Sequence, residues 1–361
     1  MRFPNRTISY ESAGIVTRHS IFAAEAVEVE DSLEAALEIF ERNKWTDGLP
    51  IVPPTEKRVA AMLDVVQRDP QDVLGILAPS GAEATVELTA INAVMAGCKP
   101  DYFPVVVAAV EAIADPAFNL GAIQGTNNPA TTMIIVNGPI ATELGINSAG
   151  NCFGQGWRSN LTIGRALRLV CQNIGGGQPQ ITDLAVHGQP GKIAFCFAEN
   201  ESESPWEPLH VERGYRSDEN TVTVVGAVCV VNIIDGFSTT PEGLLTTIIH
   251  SMDYAGQTRL GRGGELMLVL CPYHAKLLAD AGWSKNDAKR WLHDNARIRF
   301  TRLAPGKVED LSAMGFSEFV PLSYAPEAFV LVVAGGPGTH AAYIPTFGRE
   351  TKIITRPIHK N

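Results

Sequence analysis

The chain has 361 residues, 45% of them hydrophobic, enough to bury one large core or two ordinary ones. Its 29 Lys and Arg against 39 Asp and Glu leave a net charge of -10, with no basic run or aromatic-basic patch, which argues against nucleic acid as a partner. The six cysteines are widely spaced and form no CxxC pair; Cys196 and Cys229 sit inside apolar runs, the pattern of reduced thiols in a cytoplasmic protein. No apolar signal-peptide core and no membrane-length apolar run of about 18 residues stands in the sequence, so a cytoplasmic protein without a membrane partner is expected.

Residues 1–30 carry no helical period and read as an extended arm, either an edge strand pair or a segment docked on a neighbour, which makes a homo-oligomer, in the simplest case a homodimer, the default; His19 reads as a surface histidine. A helix is predicted over 31–43, with Asp31 or Ser32 as N-cap and Leu33, Ala36, Leu37 and Phe40 on its apolar side. In WTDGLPIVPPTEKRV, Asp47-Gly48 marks a turn and Pro50, Pro53 and Pro54 stiffen an extended lead into a helix capped by Thr55. Asp47 reads in two ways, as an acid/base or orienting carboxylate at a pocket rim, or as a turn residue bonding its own backbone. A buried, small-residue helix over Val86–Ala96 ends at Gly97 and Pro100. Cys98 then lies at a helix C-terminus, where the dipole disfavours a thiolate while Lys99 pushes the other way. Structural and catalytic readings of Cys98 both stand.

The run MIIV predicts a short buried strand with Asn137-Gly138-Pro139 at its carboxyl end, where open α/β sheets place ligands. Gln124, Thr126, Asn127, Asn128, Thr131 and Asn137 form an uncharged polar cluster, suited to a small polar substrate or to plain turn chemistry. A turn containing Asn151, Gly154, Gln155 and Gly156 feeds a helix that starts near Ser159. Arg158, Thr162 and Arg165 share one stripe of it, and Ile163, Ala166, Leu167, Val170 and Ile174 form the buried face. Such a turn beside guanidinium groups is a candidate anion site; an amphipathic helix with salt-bridged arginines is the alternative. The arginine helix, the Cys98 corner and the Asn-Gly-Pro bend are expected to line one cavity.

KIAFCFAEN predicts a strand that delivers Glu199 at its end. His210 and Glu212 would point the same way on a strand, but no third metal ligand lies at a useful spacing. Thr221–Asp235 is the most strand-like run and a plausible boundary. A second cycle follows: a helix over Pro241–Met252, the loop GRGGE, the strand ELMLVLCP, and a helix beginning near His274. A helix capped by Ser284 with Asp287 at N3 comes next, then the strand of EAFVLVVAGGPGTH. Gly335, Gly336 and Gly338 would cradle an anion or make a tight turn. The alternation predicts a two-lobed α/β fold, possibly pseudo-duplicated, with an arm at 1–30 and lobes at 31–220 and 221–361. No P-loop, complete dinucleotide fingerprint, G-x-S-x-G elbow or zinc-ligand spacing occurs, so no cofactor and no metal are expected.

The phrases WTDGLPIVPPT, AVMAGCKPDYFPVVVAAVEA, IVNGP, RSNLTIGRALRLVCQNIGG, GQPGKIAFCFAENESESPWEPL and GWSKNDAKRWL together resemble the large domain associated with UGSC-type (seleno)proteins of bacteria, over about residues 40–361. That family's motif is Cys or selenocysteine followed by Gly-Ser-Cys, and this chain lacks it. The resemblance therefore implies either a separate UGSC-type partner protein or a chain that works with its own groups. It carries over onto Cys98 and Lys99, and onto Arg158, Asn160 and Arg165.

The expectation from these readings is a cofactor-independent enzyme for a small, carboxylate-bearing metabolite, acting by hydrolysis or lyase/hydratase chemistry. Arg158 and Arg165 would clamp the anion, with Lys99 beside them; Asn137, Asn151 and Asn160 would orient it; Cys98 would attack or donate, with Asp47 or Glu199 as acid/base. The alternatives are a substrate-binding half of a thiol- or selenol-dependent redox system, and a plain binding protein.

Overall fold

Runs of apolar and β-branched residues with no polar alternation belong to strands buried on both faces, and those runs build the centre of this molecule. The computed structural model describes residues 6–9, 22–30, 32–253, 256, 260–348 and 350–359. In the first part of the chain the strands are β1 (Arg6–Ser9), β2 (Glu25–Glu28), β3 (Val73–Leu77), β4 (Ala82–Thr85), β5 (Thr131–Asn137), β6 (Cys196–Ala198) and β7 (Thr221–Ala227). In the second they are β8 (Val231–Ile234), β9 (Leu266–Leu270), β10 (Arg297–Arg299), β11 (Phe319–Pro321), β12 (Phe329–Val333), β13 (His340–Pro345) and β14 (Ile354–Pro357). The helices are α1 (Leu33–Arg42), α2 (Glu56–Val66), α3 (Val86–Ala96), α4 (Phe103–Ile113), α5 (Leu120–Gly125) and α6 (Pro139–Glu143). They continue as α7 (Arg158–Asn173), α8 (Leu209–Glu212), α9 (Pro241–Met252), α10 (Pro272–Asp280), α11 (Lys285–Asn295) and α12 (Pro305–Ala313).

Two four-stranded mixed sheets carry the fold, ordered β14-β7-β5-β6 and β12-β9-β13-β8. They share one pattern: a central strand (β5, β9) lies parallel to an edge strand (β6, β12) and antiparallel to its other neighbour (β7, β13). The fourth strand of each sheet follows, along the chain, the third strand of the other: β14 comes after β13 and lies on β7, and β8 comes after β7 and lies on β13. The crossing point is a bridge between Ala227 and Thr346, where Val228 N–H donates to Pro345 O and Phe347 N–H to Gly226 O. The α/β architecture is thus a duplicated unit with exchanged edge strands. The expected lobe boundary at 221 falls at the start of β7, inside the first sheet, and the last strand, β14, returns to that sheet; the exchange leaves no point at which the chain divides into 31–220 and 221–361.

The sheets pack face to face through Met133, Ile135, Phe197 and Val225 on one side and Met267, Val269, Val330, Val332 and Ile344 on the other. Their alternate residues point outward: Ile134, Val136, Val222 and Val224 meet the cluster of α3, α4 and α7, and Leu266, Leu268, Leu270 and Leu331 meet that of α9, α10 and α11. The result is a helix–sheet–sheet–helix sandwich. α7 lies close enough to the lead into β6 that a Cβ on Gly164 would sit 2.6 Å from Phe195 N, so only glycine fits. Among the described residues no single helix is long and apolar enough to cross a membrane, and the apolar α4 is buried in the core along its length.

Of the expected arm, only 6–9 and 22–30 are described: β1 and β2 pair in parallel, and Ala23 and Ala24 N–H donate to the buried Glu87 carboxylate at 3.0 and 2.9 Å. His19 and Asp31 lie outside the described residues. The helix expected at 31–43 forms, capped by Ser32, which accepts from Ala35 N.

Candidate functional site

The arginine helix begins one residue earlier than predicted, and its guanidinium groups hold protein rather than open space. Arg158 donates through Nε and Nη2 to Gly97 O at 3.0 and 2.8 Å, satisfying the carbonyl end of α3. Arg165 makes a two-pronged pair with Asp47 at 2.8 and 2.8 Å and also donates to Leu49 O and Pro50 O at 3.3 and 3.0 Å. The fork therefore clasps the proline-stiffened lead. Burial pushes the Asp47 carboxyl up, but the hydrogen bond and charge of Arg165 outweigh it and hold the group below its ordinary 3.8. Arg168 is buried and donates to Lys192 O at 3.1 Å.

Cys98 lies beneath these arginines, its thiol donating to Thr162 O at 3.3 Å. Burial pushes it up to about 12 despite the nearby Arg158 and Arg165 charges. Lys99 is exposed, its ammonium 5.9 Å from the Tyr102 ring centroid. Asn160 is buried and ties down a loop, accepting from Asn147 N at 2.8 Å and donating to Asn147 O and Cys152 O at 3.0 and 3.3 Å. Asn137 and Glu199 meet at the carboxyl ends of β5 and β6, 2.7 Å apart, and Glu199 also accepts from Leu209 N at 2.8 Å. Burial raises the Glu199 carboxyl, with Lys285 and these donors opposing. His210 and Glu212 lie in α8 rather than on a strand, and Glu212 pairs with Lys285 and Lys289. The nominated residues thus gather in two places, around α7 and around Glu199, and Asn137 belongs to the second. Among the described residues the guanidiniums close onto carbonyls and Asp47 instead of onto space, and Asn137 bonds Glu199 apart from them.

An open cleft lies elsewhere. It has a volume of about 560 Å³ and sits at the carboxyl ends of β9 and β12, with Val269, Cys271, Gly335, Gly338, Asn232 and His340 in its walls. Carboxyl ends of parallel strands are where mixed and parallel sheets leave room for ligands. The turn carrying Asn151 roofs it, and Asn151 lines it together with Gly335, Gly336 and Gly338, the glycines read as an anion cradle or a tight turn. Asn151 adopts a left-handed φ of 61° and donates to Gln155 O at 2.9 Å. The roof and the glycine loop touch backbone to backbone: a Cβ on Gly336 would lie 2.8 Å from Gly150 Cα, and Gly335 N–H donates to Ser148 O at 2.8 Å.

Cys271 is delivered into this cleft by local rules. The apolar strand β9 ends at Leu270, and Pro272, with its preset φ, opens α10, so Cys271 becomes the N-cap. His274 falls on the first turn of the same helix and is fully buried. Its Nε2 lies 2.9 Å from Asp235 O. A carbonyl only accepts, so Nε2 carries the hydrogen and Nδ1 is left with a lone pair. Nδ1 has no partner of strict hydrogen-bond geometry, yet the imidazole and the Cys271 thiol interact closely enough to shift one another. Burial pushes the thiol up; the His274 side chain and the N–H groups of His274 and His340 outweigh it, and the net value falls below the ordinary 9.0. Burial likewise depresses His274, but the thiol and the Asp235 carbonyl lift it above 6.5. The two shifts point the same way, toward a thiolate beside an imidazolium. The Asp235 carboxylate fixes its own loop, accepting from Phe237 N, Ser238 N and Ser238 Oγ at 3.0, 2.8 and 2.7 Å.

The other buried cysteines run the opposite way. Burial pushes Cys152 up to about 11, Cys98 up to about 12, and Cys171 and Cys196 up as well. The sequence reading passed over Cys271 and His274, although LVLCPYH held the signal: a cysteine between an apolar strand and a helix-opening proline, with histidine three places on. Among the described residues no cluster of three or more His, Cys, Asp or Glu has the arrangement of a metal site. No protein-family model matches this chain, and a search of curated proteins returned no match.

Proposed function

We propose that the chain is a cofactor-independent hydrolase in which Cys271 attacks the carbonyl carbon of a small polar compound. The observation that carries this reading is the place of Cys271 at the start of α10 in the wall of an open cleft, its thiol donating to Gly338 O at 3.2 Å, with the buried His274 on the same helical turn. The thiolate adds to the carbonyl carbon while N–H groups at the start of α10 face the growing negative charge on oxygen. The His274 imidazolium then gives its proton to the leaving group as the carbon–leaving-group bond breaks. Water, losing a proton to His274, cleaves the resulting thioester and restores the thiol. The expectation of a carboxylate-bearing substrate rested on Arg158 and Arg165; with both engaged by Gly97 and Asp47, the reading moves to an uncharged carbonyl compound.

The test uses p-nitrophenyl acetate, an activated ester that reports thiolate acylation. A burst of one nitrophenolate per chain is expected, with acetyl found on Cys271 by peptide mass spectrometry. Cys271→Ser should lose the burst, and Cys98→Ser should keep it. Acetylation of Cys98, or of no cysteine, would sink the reading. The alternative, a half-enzyme serving a UGSC-type partner, is separated by the same assay, since acylation and turnover by the isolated chain exclude it.

A further inference from the structure

The wall beside Cys271, whose backbone N–H donates to His340 O at 3.2 Å, carries a donor beside an acceptor, and from it we infer the substrate class: small primary carboxamides. This rests on the thiol reading above and extends it. His340 on β13 and Asn232 on β8 are diagonal neighbours across an antiparallel pair, since Asn232 faces Ala342 and His340 faces Ile234. Both residues line the cleft, and His340 Nδ1 lies 3.0 Å from Asn232 Oδ1. An amide oxygen only accepts, so Nδ1 carries the hydrogen, and in that tautomer Nε2 offers a lone pair. Asn232 Nδ2 keeps its N–H groups. Neither Nε2 nor Nδ2 has a hydrogen-bond partner among the described residues, and no Lys or Arg lines the cleft.

The chemistry of the pair selects. A carboxamide offers its oxygen to Asn232 Nδ2 and an N–H to His340 Nε2. A carboxylate would bring a second acceptor against the Nε2 lone pair, and an ester has no N–H to give. Asn232 and His340 are exposed, so an analogue lacking the N–H leaves Nε2 to water and forgoes one hydrogen bond, a modest rather than an absolute preference. The reaction balances as carboxamide plus water giving carboxylic acid plus ammonia. The C–N bond breaks, the imidazolium proton of His274 goes to nitrogen, and water adds to the thioester carbon.

Binding to full-length Cys271→Ala protein, which has no nucleophile there, reads the wall without the reaction. Propionamide, propionate and methyl propionate are titrated by calorimetry. Propionamide should bind roughly tenfold tighter than the other two, and Asn232→Leu and His340→Leu should each erase that preference at an unchanged Tm. Equal or tighter binding of propionate or the ester, no binding of propionamide, or a preference that survives both substitutions would overturn the inference. A failed preference with an intact acetyl burst at Cys271 leaves the nucleophile standing; a missing burst with an intact preference removes the nucleophile alone.

Discussion

Replacing His274 by Gln keeps an N–H for the Asp235 carbonyl and removes the group that takes the Cys271 proton. Cys271 stays buried with only the backbone N–H groups of residues 274 and 340 left to oppose that cost, so its thiol rises from its wild-type value. An unperturbed thiol near 9 is only about 1% ionised at pH 7. A hydrogen bond to a charged partner is worth about 1.5–3 kcal/mol, so its loss should cut the thiolate population roughly ten- to hundredfold. The assay is the rate of N-ethylmaleimide labelling against pH, with peptide mass spectrometry resolving each cysteine. In the wild type, Cys271 should label first and its rate should rise at a pH below 9.0, whereas in His274→Gln the rise should move to higher pH. Cys98, pushed up to about 12, should stay slow in both. Turnover by the ion pair should be bell-shaped, gained as the thiol ionises below 9.0 and lost as the imidazolium deprotonates above 6.5. An unchanged rate and pH midpoint for Cys271 in His274→Gln, or faster labelling of Cys98 in the wild type, would refute the reasoning.

Two further substitutions probe the frame around the cleft. Gly336→Ala puts a Cβ 2.8 Å from Gly150 Cα, so the roof and the glycine loop must part; a cost of about 1–3 kcal/mol is expected, read as a lower Tm together with loss of the acetyl burst, and an unaltered Tm would show that the loops yield freely. Asp47→Asn leaves the Arg165 guanidinium, 14% exposed, without its counter-charge, at a cost of about 1–3 kcal/mol for a partly buried pair, while Cys271 labelling stays as it was. Because the folded Asp47 titrates below 3.8, its stabilisation is complete above 3.8 and fades as pH falls through the folded value, so the Tm gap between wild type and variant should close at acid pH. A gap that persists in strong acid would deny the ion pair its part.

Much of the local structure was legible. Ser284 and Asp287 form the reciprocal cap read from their spacing, and MIIV and ELMLVL lie in strands buried on both faces, as uninterrupted apolar runs require. The predicted run Thr221–Asp235 instead divides: β7 stays in the first sheet and β8 crosses to the second. A run without polar alternation says that both faces are covered but not by what, so the exchange of edge strands could not be read from it. Arg158 and Arg165 were read as an anion clamp and Asp47 as an acid/base, whereas in the fold Arg158 bonds Gly97 O and Arg165 bonds Asp47. A guanidinium in a sequence, however, looks the same whether its partner is a ligand carboxylate, a carbonyl at a helix end or an aspartate more than a hundred residues away.

By itself, then, the sequence determined which segments are helix and strand, which faces are apolar, and that Cys271 and His274 share one side of a helix start, because all of these depend on neighbours within a few residues. The fold alone decided which cysteine is chemically distinct. Thiols at Cys98 and Cys271 differ by what long-range packing sets around them: a dry corner beneath guanidiniums already engaged, or a cleft wall where a buried imidazole and backbone N–H groups outweigh the cost of burial.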